Sequence, residues 1–388
     1  MTSSGPRSDP FNVLIAGGGV AGLEAALALR DHAGEAVGLT LLSPEADFVY
    51  RPMAVREPFA YGAAARYPLD SIATDIGAEL LADAFAWVEP AARVAHTAGG
   101  ERLSYDALLL ALGARARPRY EHAITVDDRH LDEILHGLIQ DIEGRYVKRL
   151  VFLVPPRMAW PLPIYELALM TAERAYDMDL KVSVTVVTPE DAPLAIFGQQ
   201  ASASVGELLC QAGIERATSS YAEVPRSGEV VLHPGDRRLS CDRVVALPEL
   251  FGPSVRGLPA AEHGFIPVDR HCKVRGVERV YAAGDAVDFA IKHGGVATQQ
   301  ADAAAEAITA LVGIPIEPRG FDPVIHGMLL TGDRPKYLTA HITGGSGFSS
   351  TVSDTPTWSP PSKIAARYLA PYLEQRDRSI GARRTRAS

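Results

Sequence analysis

The chain has 388 residues, enough for two or three domains with cores of their own. Hydrophobic residues make up 47% of it, which excludes a disordered chain, and a formal net charge of −9 argues against nucleic acid as a partner, because phosphate binding needs a basic surface. No run of about 18 apolar residues occurs, and the polar start of the chain lacks a signal pattern. A cytoplasmic protein is expected, with contact at the inner face of a membrane left open.

In chain order, Phe11–Ile15 is an apolar strand that runs into Gly17, Gly18 and Gly19, and then into a helix from Ala21 to His32. A second strand covers Val37–Leu42, and Ala107–Ala114 is an apolar strand ending at Gly113. Leu131, Ile134, Leu135, Leu138 and Ile142 recur at helical spacing, which predicts a helix over Asp127–Ile142. A strand over Arg149–Val154, a helix over Ile164–Ala175, a strand over Lys181–Val187 and a helix over Ser202–Ala212 make a second βαβ unit. A strand ending before Asp285 and a helix over Thr298–Leu311 follow.

Alternation of strand and helix predicts an α/β fold with two Rossmann-like three-layer domains, parallel sheets covered by helices. The expected divisions are 11–118 and 251–320 for a discontinuous first domain, 119–250 for the second, and 321–375 for a C-terminal interface or capping segment. That segment contains a Gly/Ser-rich hairpin at Gly344–Ser350, and a basic tail over 376–388 is expected to be disordered. Cys210, Cys241 and Cys272 have neither redox nor metal spacing and read as buried or half-buried thiols.

Two motifs carry the chemistry. Gly17, Gly19 and Gly22 stand at GxGxxG spacing between strand and helix: the first allows a tight turn, the second lets backbone approach a pyrophosphate, and the third lets the helix pack on the strand. Val20 and Ala21 open the helix, whose free N–H groups and dipole favour phosphate. Far downstream, Val280–Ala286 is an apolar strand ending in Gly284-Asp285, placed to offer a carboxylate to a sugar or ribitol hydroxyl. The pair resembles the two FAD-binding halves of the pyridine nucleotide-disulfide oxidoreductase superfamily.

The resemblance implies FAD as cofactor and several further contacts. Ser43 occupies the usual position of the ribose acid, with Glu45 the nearby alternative. The Ser43-Pro44 ending and the loop through Tyr50, Arg51 and Pro52 are similar to sulfide:quinone oxidoreductases and type II NADH dehydrogenases. A backbone group at Val88 is expected to meet adenine. Ala111 and Gly113 close the first FAD segment, where Leu112 replaces the family's threonine. Val296, Ala297 and Thr298 open a helix whose N–H groups point at the flavin pyrimidine, and Gln299 and Gln300 match a pair beside the flavin and quinone; an ordinary polar first turn is the alternative. Lys292 and His293 either bring a charge or proton donor to the flavin or are solvated.

An NAD(P)H-using member carries a second glycine motif. Here the corresponding turn holds Pro155, Pro156, Pro161 and Pro163, which remove N–H donors. The next strand ends Thr188-Pro189-Glu190 without a clean ribose acid. This is similar to sulfide:quinone oxidoreductases, yet Trp160 stands about where their catalytic cysteine lies, so sulfide chemistry through a reactive thiolate is not expected. Trp160 and Tyr165 either wall the flavin site or pack between domains.

In the C-terminal segment, Ile364, Tyr368, Leu369, Tyr372 and Leu373 share a helical face that Ser362 is placed to cap and Pro371 to kink or end. It caps the first domain, forms a homodimer contact or touches a membrane surface weakly. Three readings of function follow. The first is an FAD-dependent oxidoreductase passing two electrons from a small-molecule donor to an acceptor such as a quinone. The second is an NAD(P)H:acceptor oxidoreductase with a divergent nicotinamide site. The third is a non-catalytic flavin-binding interaction protein.

Overall fold

The computed structural model describes residues 10–60, 62–127, 130–342 and 348–387. Two five-stranded parallel sheets organise it. The first is ordered Val280–Ala282, Ala107–Leu110, Phe11–Ala16, Val37–Leu42, Ala78–Leu81. The strand Ala107-Leu-Leu-Leu110 is buried throughout, as a central strand covered on both faces must be. Its pairing with Val280–Ala282 returns the later segment to the first domain. The second sheet is ordered Ile124–Thr125, Arg243–Ala246, Arg149–Leu153, Ser183–Val187, Glu215–Ala217.

Strand periodicity divides each sheet between two cores. In the first, Val13, Ile15 and Leu109 face the helices Val20–Ala33 and Gly294–Val312. Leu14, Leu108 and Leu110 face Val88 and Ala95 of an antiparallel meander built from Phe85–Glu89, Val94–Thr97 and Arg102–Ser104. The second domain repeats the plan. Leu150, Phe152 and Val186 face helices, while Val151, Leu153 and Val187 face a meander through Tyr221–Arg226, Glu229–His233 and Arg237–Ser240. The three layers are therefore helix, sheet and meander rather than a sheet with helices on both faces. The crossovers between domains run antiparallel as Arg115–Arg117 against Glu249–Phe251.

The helix expected from Asp127 begins at Leu131, with 128–129 outside the described residues. The C-terminal segment forms a three-stranded antiparallel sheet, Val324–Leu329, Lys336–Ile342 and Phe348–Ser353; the turn between the last two strands, 343–347, lies outside the described residues. Ile325, Leu329 and Leu338 pack into the second domain's core.

The expected disordered tail is instead helical: a helix runs Leu369–Ala387. It starts later than its apolar pattern, with Pro371 inside the first turn, where a missing N–H costs nothing. Ser362 does not cap it; its hydroxyl donates to the Ile364 carbonyl at 2.7 Å. Leu369, Ala370 and Leu373 are buried in the first domain, and Tyr67 and Tyr372 donate to Asp377 and Asp75. These contacts spend the apolar face inside the chain. Position 388 and the side chains beyond Ser379 lie outside the described residues. Cys241 and Cys272 are buried, but Cys210 is exposed. No described helix is long and apolar enough to cross a membrane.

Candidate active site

The first glycine turn is shaped by steric need. Gly17 has φ +121°, and a Cβ there would stand 2.2 Å from the Ala111 carbonyl oxygen. Its N–H donates to the Leu42 carbonyl at 2.8 Å, and the Ala111 N–H donates to Ala16. At Gly22 a Cβ would lie 1.9 Å from the Gly17 oxygen, so helix and turn are in backbone contact. Around Gly19, by contrast, nothing lies within 4 Å of the Cβ position, and the residue is exposed with φ −88°. Val20 and Ala21 begin the helix behind it. This is an open cradle at a helix N-terminus, and it fits a dinucleotide pyrophosphate. Gly19→Ala should leave folding stability within about 0.5 kcal/mol but lower the flavin-to-protein absorbance ratio. Gly22→Ala should cost about 1–3 kcal/mol in denaturant unfolding. Full flavin content in Gly19→Ala would refute the cradle.

The other expected contacts are placed as follows. Ser43 is buried, its Oγ beneath Gly18 and accepting from the Glu45 N–H at 3.3 Å, whereas Glu45 itself is exposed. Val88 does not present a free backbone donor: its N–H donates to the Arg256 carbonyl at 3.1 Å, and Gly257 crowds its oxygen. The N–H of the residue expected to meet adenine is therefore engaged inside the chain. Gly113 and Gly284 have φ +68° and +78°, and Asp285 sits half-buried at the end of the Val280–Ala282 strand.

Lys292 and His293 are not solvated loop residues. Lys292 is buried, donates to the Val287 carbonyl and lies 3.9 Å from the Phe265 ring centroid. Burial lowers its pKa to about 8, against the pull of Asp285 and Asp288. His293 Nδ1 accepts from the Gly295 N–H at 3.2 Å and caps the helix Gly294–Val312, which explains why that helix starts earlier than expected. Desolvation, with Lys363 and His326 nearby, lowers the His293 pKa to about 3. The ring is therefore neutral, with its proton on Nε2.

Beyond the cap, Val296, Ala297 and Thr298 are buried. Thr298 donates to Gly295, and the two glutamines serve as ties: Gln299 exchanges hydrogen bonds with the backbone of Val324, and Gln300 Oε1 accepts from the Gly284 N–H at 2.8 Å. Gln299 thus holds the C-terminal sheet, and Gln300 fixes the Gly-Asp turn. Trp160 does reach this junction, with its ring centroid 4.1 Å from that of His293 and 5.6 Å from that of Phe197. Tyr50 Oη accepts from the Ile364 N–H at 2.9 Å, and Lys363 Nζ donates to the Pro52 carbonyl at 3.1 Å and to Glu166 at 2.7 Å, while Arg51 is half-buried between these two loop residues. Glu166 and Lys363 were not singled out from sequence. The signal available was a carboxylate inside the apolar run Leu162–Met170.

The model of the family described as pyridine nucleotide-disulphide oxidoreductase matches residues 11–133 and 166–301. The chain belongs to that family. The fold is similar to the sulfide:quinone oxidoreductase of the hyperthermophilic bacterium Aquifex aeolicus, at 18% identity and TM-score 0.78 over 89% of this chain and 87% of that one. It is also similar to a ferredoxin reductase from Rhodopseudomonas palustris (21%, TM-score 0.68, 88% of each chain). NDH2 from Plasmodium falciparum, solved with NADH, matches at 16% and TM-score 0.59 over 71% of this chain and 64% of that one. A search of curated proteins finds no match.

The match to the pyridine nucleotide-disulphide oxidoreductase family is interrupted over 134–165, the stretch that includes the proline turn. There the helix Leu162–Asp177 follows Pro161 and carries Pro163 in its first turn, while the Ile164 N–H is used by Pro161. The carboxylate at the end of the next strand is consumed as well. Glu190 accepts from Tyr165 Oη at 2.6 Å, from Thr188 at 2.9 Å and from the Ala195 N–H at 3.1 Å. Burial raises its pKa and that of Tyr165. Tyr165 is therefore an interior residue of the second domain and not part of a flavin wall. This family member is an FAD-dependent oxidoreductase in which one dinucleotide cradle is open and the corresponding second turn is closed.

Proposed function

We propose that the protein passes two electrons through a flavin, from a donor other than NAD(P)H to a quinone-like acceptor. The observation that carries this reading is the closed second turn: prolines replace the N–H donors, and Glu190 is turned onto Tyr165. The acceptor class is supported by the likeness to the Aquifex aeolicus sulfide:quinone oxidoreductase. A bound flavin supplies the two-electron chemistry, and the chain supplies position and charge. The backbone at Gly19 and the helix start behind it would hold the pyrophosphate, Gly17 and Gly22 would shape the turn, and Asp285 would hold the ribityl chain. Trp160 and His293 make a largely apolar wall at the helix N-terminus, where the neutral imidazole can donate through Nε2 but stays unprotonated across the physiological range.

Anaerobic mixing tests the donor. NADH and NADPH should leave the visible flavin band unbleached, while dithionite bleaches it and a water-soluble quinone restores it. Rapid bleaching by either nucleotide would instead support a divergent nicotinamide site, and a flavin that no quinone or dye reoxidises would support a non-catalytic flavoprotein.

A further inference from the structure

Side chains opposite each other in an antiparallel ladder share a face, as do residues two apart along a strand. In the ladder joining the two domains, Arg115 pairs with Phe251 and Arg117 with Glu249, which puts all four side chains on one face. Two more guanidinium groups reach it. Arg119 Nε is 3.9 Å and Arg157 Nη2 3.1 Å from the Glu249 carboxylate. The Arg117 and Arg157 guanidinium carbons lie 4.5 and 5.1 Å from the Phe251 ring centroid. Two arginines, Arg119 and Arg157, thus meet one carboxylate whose side chain is only 11% exposed while they remain 52% and 39% exposed, and Arg115 and Arg117 share the face beside them. Glu262 is exposed and is engaged by His263, which packs edge-on against Phe251. In a chain of net charge −9 this is a local surplus of positive charge.

Its place in the fold matters. Arg157 belongs to the proline turn at the carboxyl end of the strand Arg149–Leu153, on the side where open α/β sheets hold ligands. The prolines took away the backbone donors that would cradle a phosphate there. The guanidinium groups put back donors of another kind, planar forks that match carboxylate and phosphate oxygens. We propose that Arg115, Arg117, Arg119 and Arg157 form an oxyanion-recognition site for an electron donor carrying phosphate or carboxylate groups. This rests on the reading that the closed turn no longer holds a nicotinamide dinucleotide through its backbone.

The test is calorimetric titration of the flavin-loaded protein with inorganic pyrophosphate and with citrate at low ionic strength. At least one probe should bind, with affinity that falls as salt rises. Arg117→Gln and Arg157→Gln should each weaken that binding by about tenfold or more, while Arg102→Gln, on the first domain's meander and outside the ladder, should not. Tighter pyrophosphate binding assigns a phosphate-bearing donor, and tighter citrate binding a polycarboxylate. Arg117→Gln leaves the ion pairs of Glu249 in place, so a folding defect in Arg157→Gln would not hide the result. No binding by the unaltered protein, or equal binding by the arginine variants, would overturn the site. These titrations read binding alone, so their failure leaves quinone turnover untouched, whereas failure of the proposed function shows as bleaching by NADH or NADPH.

Discussion

Lys363→Ala is expected to destabilise the folded protein by about 3–5 kcal/mol and to reduce flavin retention. Lys363 and Glu166 form an ion pair whose side chains are 6% and 0% exposed, with Nζ and Oε2 2.7 Å apart. Burial pushes the lysine pKa down and the glutamate pKa up, and each partner opposes the other's shift. Each partner makes one further bond: Lys363 also donates to the Pro52 carbonyl, and Glu166 accepts from the Leu330 N–H at 2.9 Å. Removing the ammonium leaves a carboxylate in the interior with one N–H partner, so it must either stay charged at high cost or take up a proton. The paired replacement Lys363→Met with Glu166→Leu removes both charges and should recover most of the loss. A double-mutant cycle by urea denaturation measures this directly. Equal losses in the single and double variants would show that packing volume, and not the charge pair, is what matters. The pair joins three elements far apart in sequence: the loop at Pro52, the helix Leu162–Asp177 and the segment before the last helix. Flavin loss is expected because that segment also packs on Gly294 and Gly295 at the helix N-terminus.

What was legible in the sequence is what local pattern controls. The glycine turn, the strands beside it and the two βαβ units follow from spacing and apolar periodicity, and Val37–Leu42 is a strand with the expected bounds. The prolines after Val154 gave the closed second turn, because a missing N–H is a property of the residue itself. The meanders were not anticipated, since short strands of mixed polarity such as Arg102–Ser104 carry little periodic signal. Long-range polar pairing was not legible either. Tyr165 reads as an aromatic near a catalytic turn until Glu190 takes its hydroxyl. The hydrogen bonds that tie the glutamines to Val324 and Gly284 were likewise not readable from the sequence. The basic tail reads as disordered because its composition is polar, yet it continues a helix whose start is organised by a carboxylate on the first helix.

That carboxylate leads to an expected dependence of stability on pH. Glu24, fully buried on the helix Val20–Ala33, accepts the N–H groups of Arg367, Tyr368 and Leu369 at 2.8, 3.0 and 2.6 Å, at the start of the C-terminal helix. Across from it, on Gly294–Val312, stands Asp302, whose Oδ1 is buried with no hydrogen-bond partner. Desolvation first, and the nearby Glu24 second, raise the Asp302 pKa to about 8; Glu306 adds to this, while Arg367 and Arg319 oppose it. His32, Asp31 and Tyr368 complete the charged and titratable surroundings. The sign follows from proton counting. Between the ordinary aspartate range and about pH 8 the folded protein holds a proton that the unfolded chain has released, so stability falls as pH rises through that window. Asp302→Asn, which keeps the shape without the charge, should flatten that slope and make the variant more stable than the parent above pH 8 by a few kcal/mol. The parent's loss should be local at first: amide hydrogen exchange at 367–373 should accelerate, beyond its intrinsic pH dependence, as pH rises through that window and level off above about pH 8, in the parent and not in Asp302→Asn. Burial raises the Glu24 pKa, so Glu24→Gln should accelerate exchange there at the pH values where Glu24 is ionised, because an amide oxygen accepts these backbone bonds more weakly than a carboxylate. Identical pH profiles for the parent and Asp302→Asn would mean that Asp302 is ionised and solvated in the folded state, and the proton assigned to it would have to be abandoned.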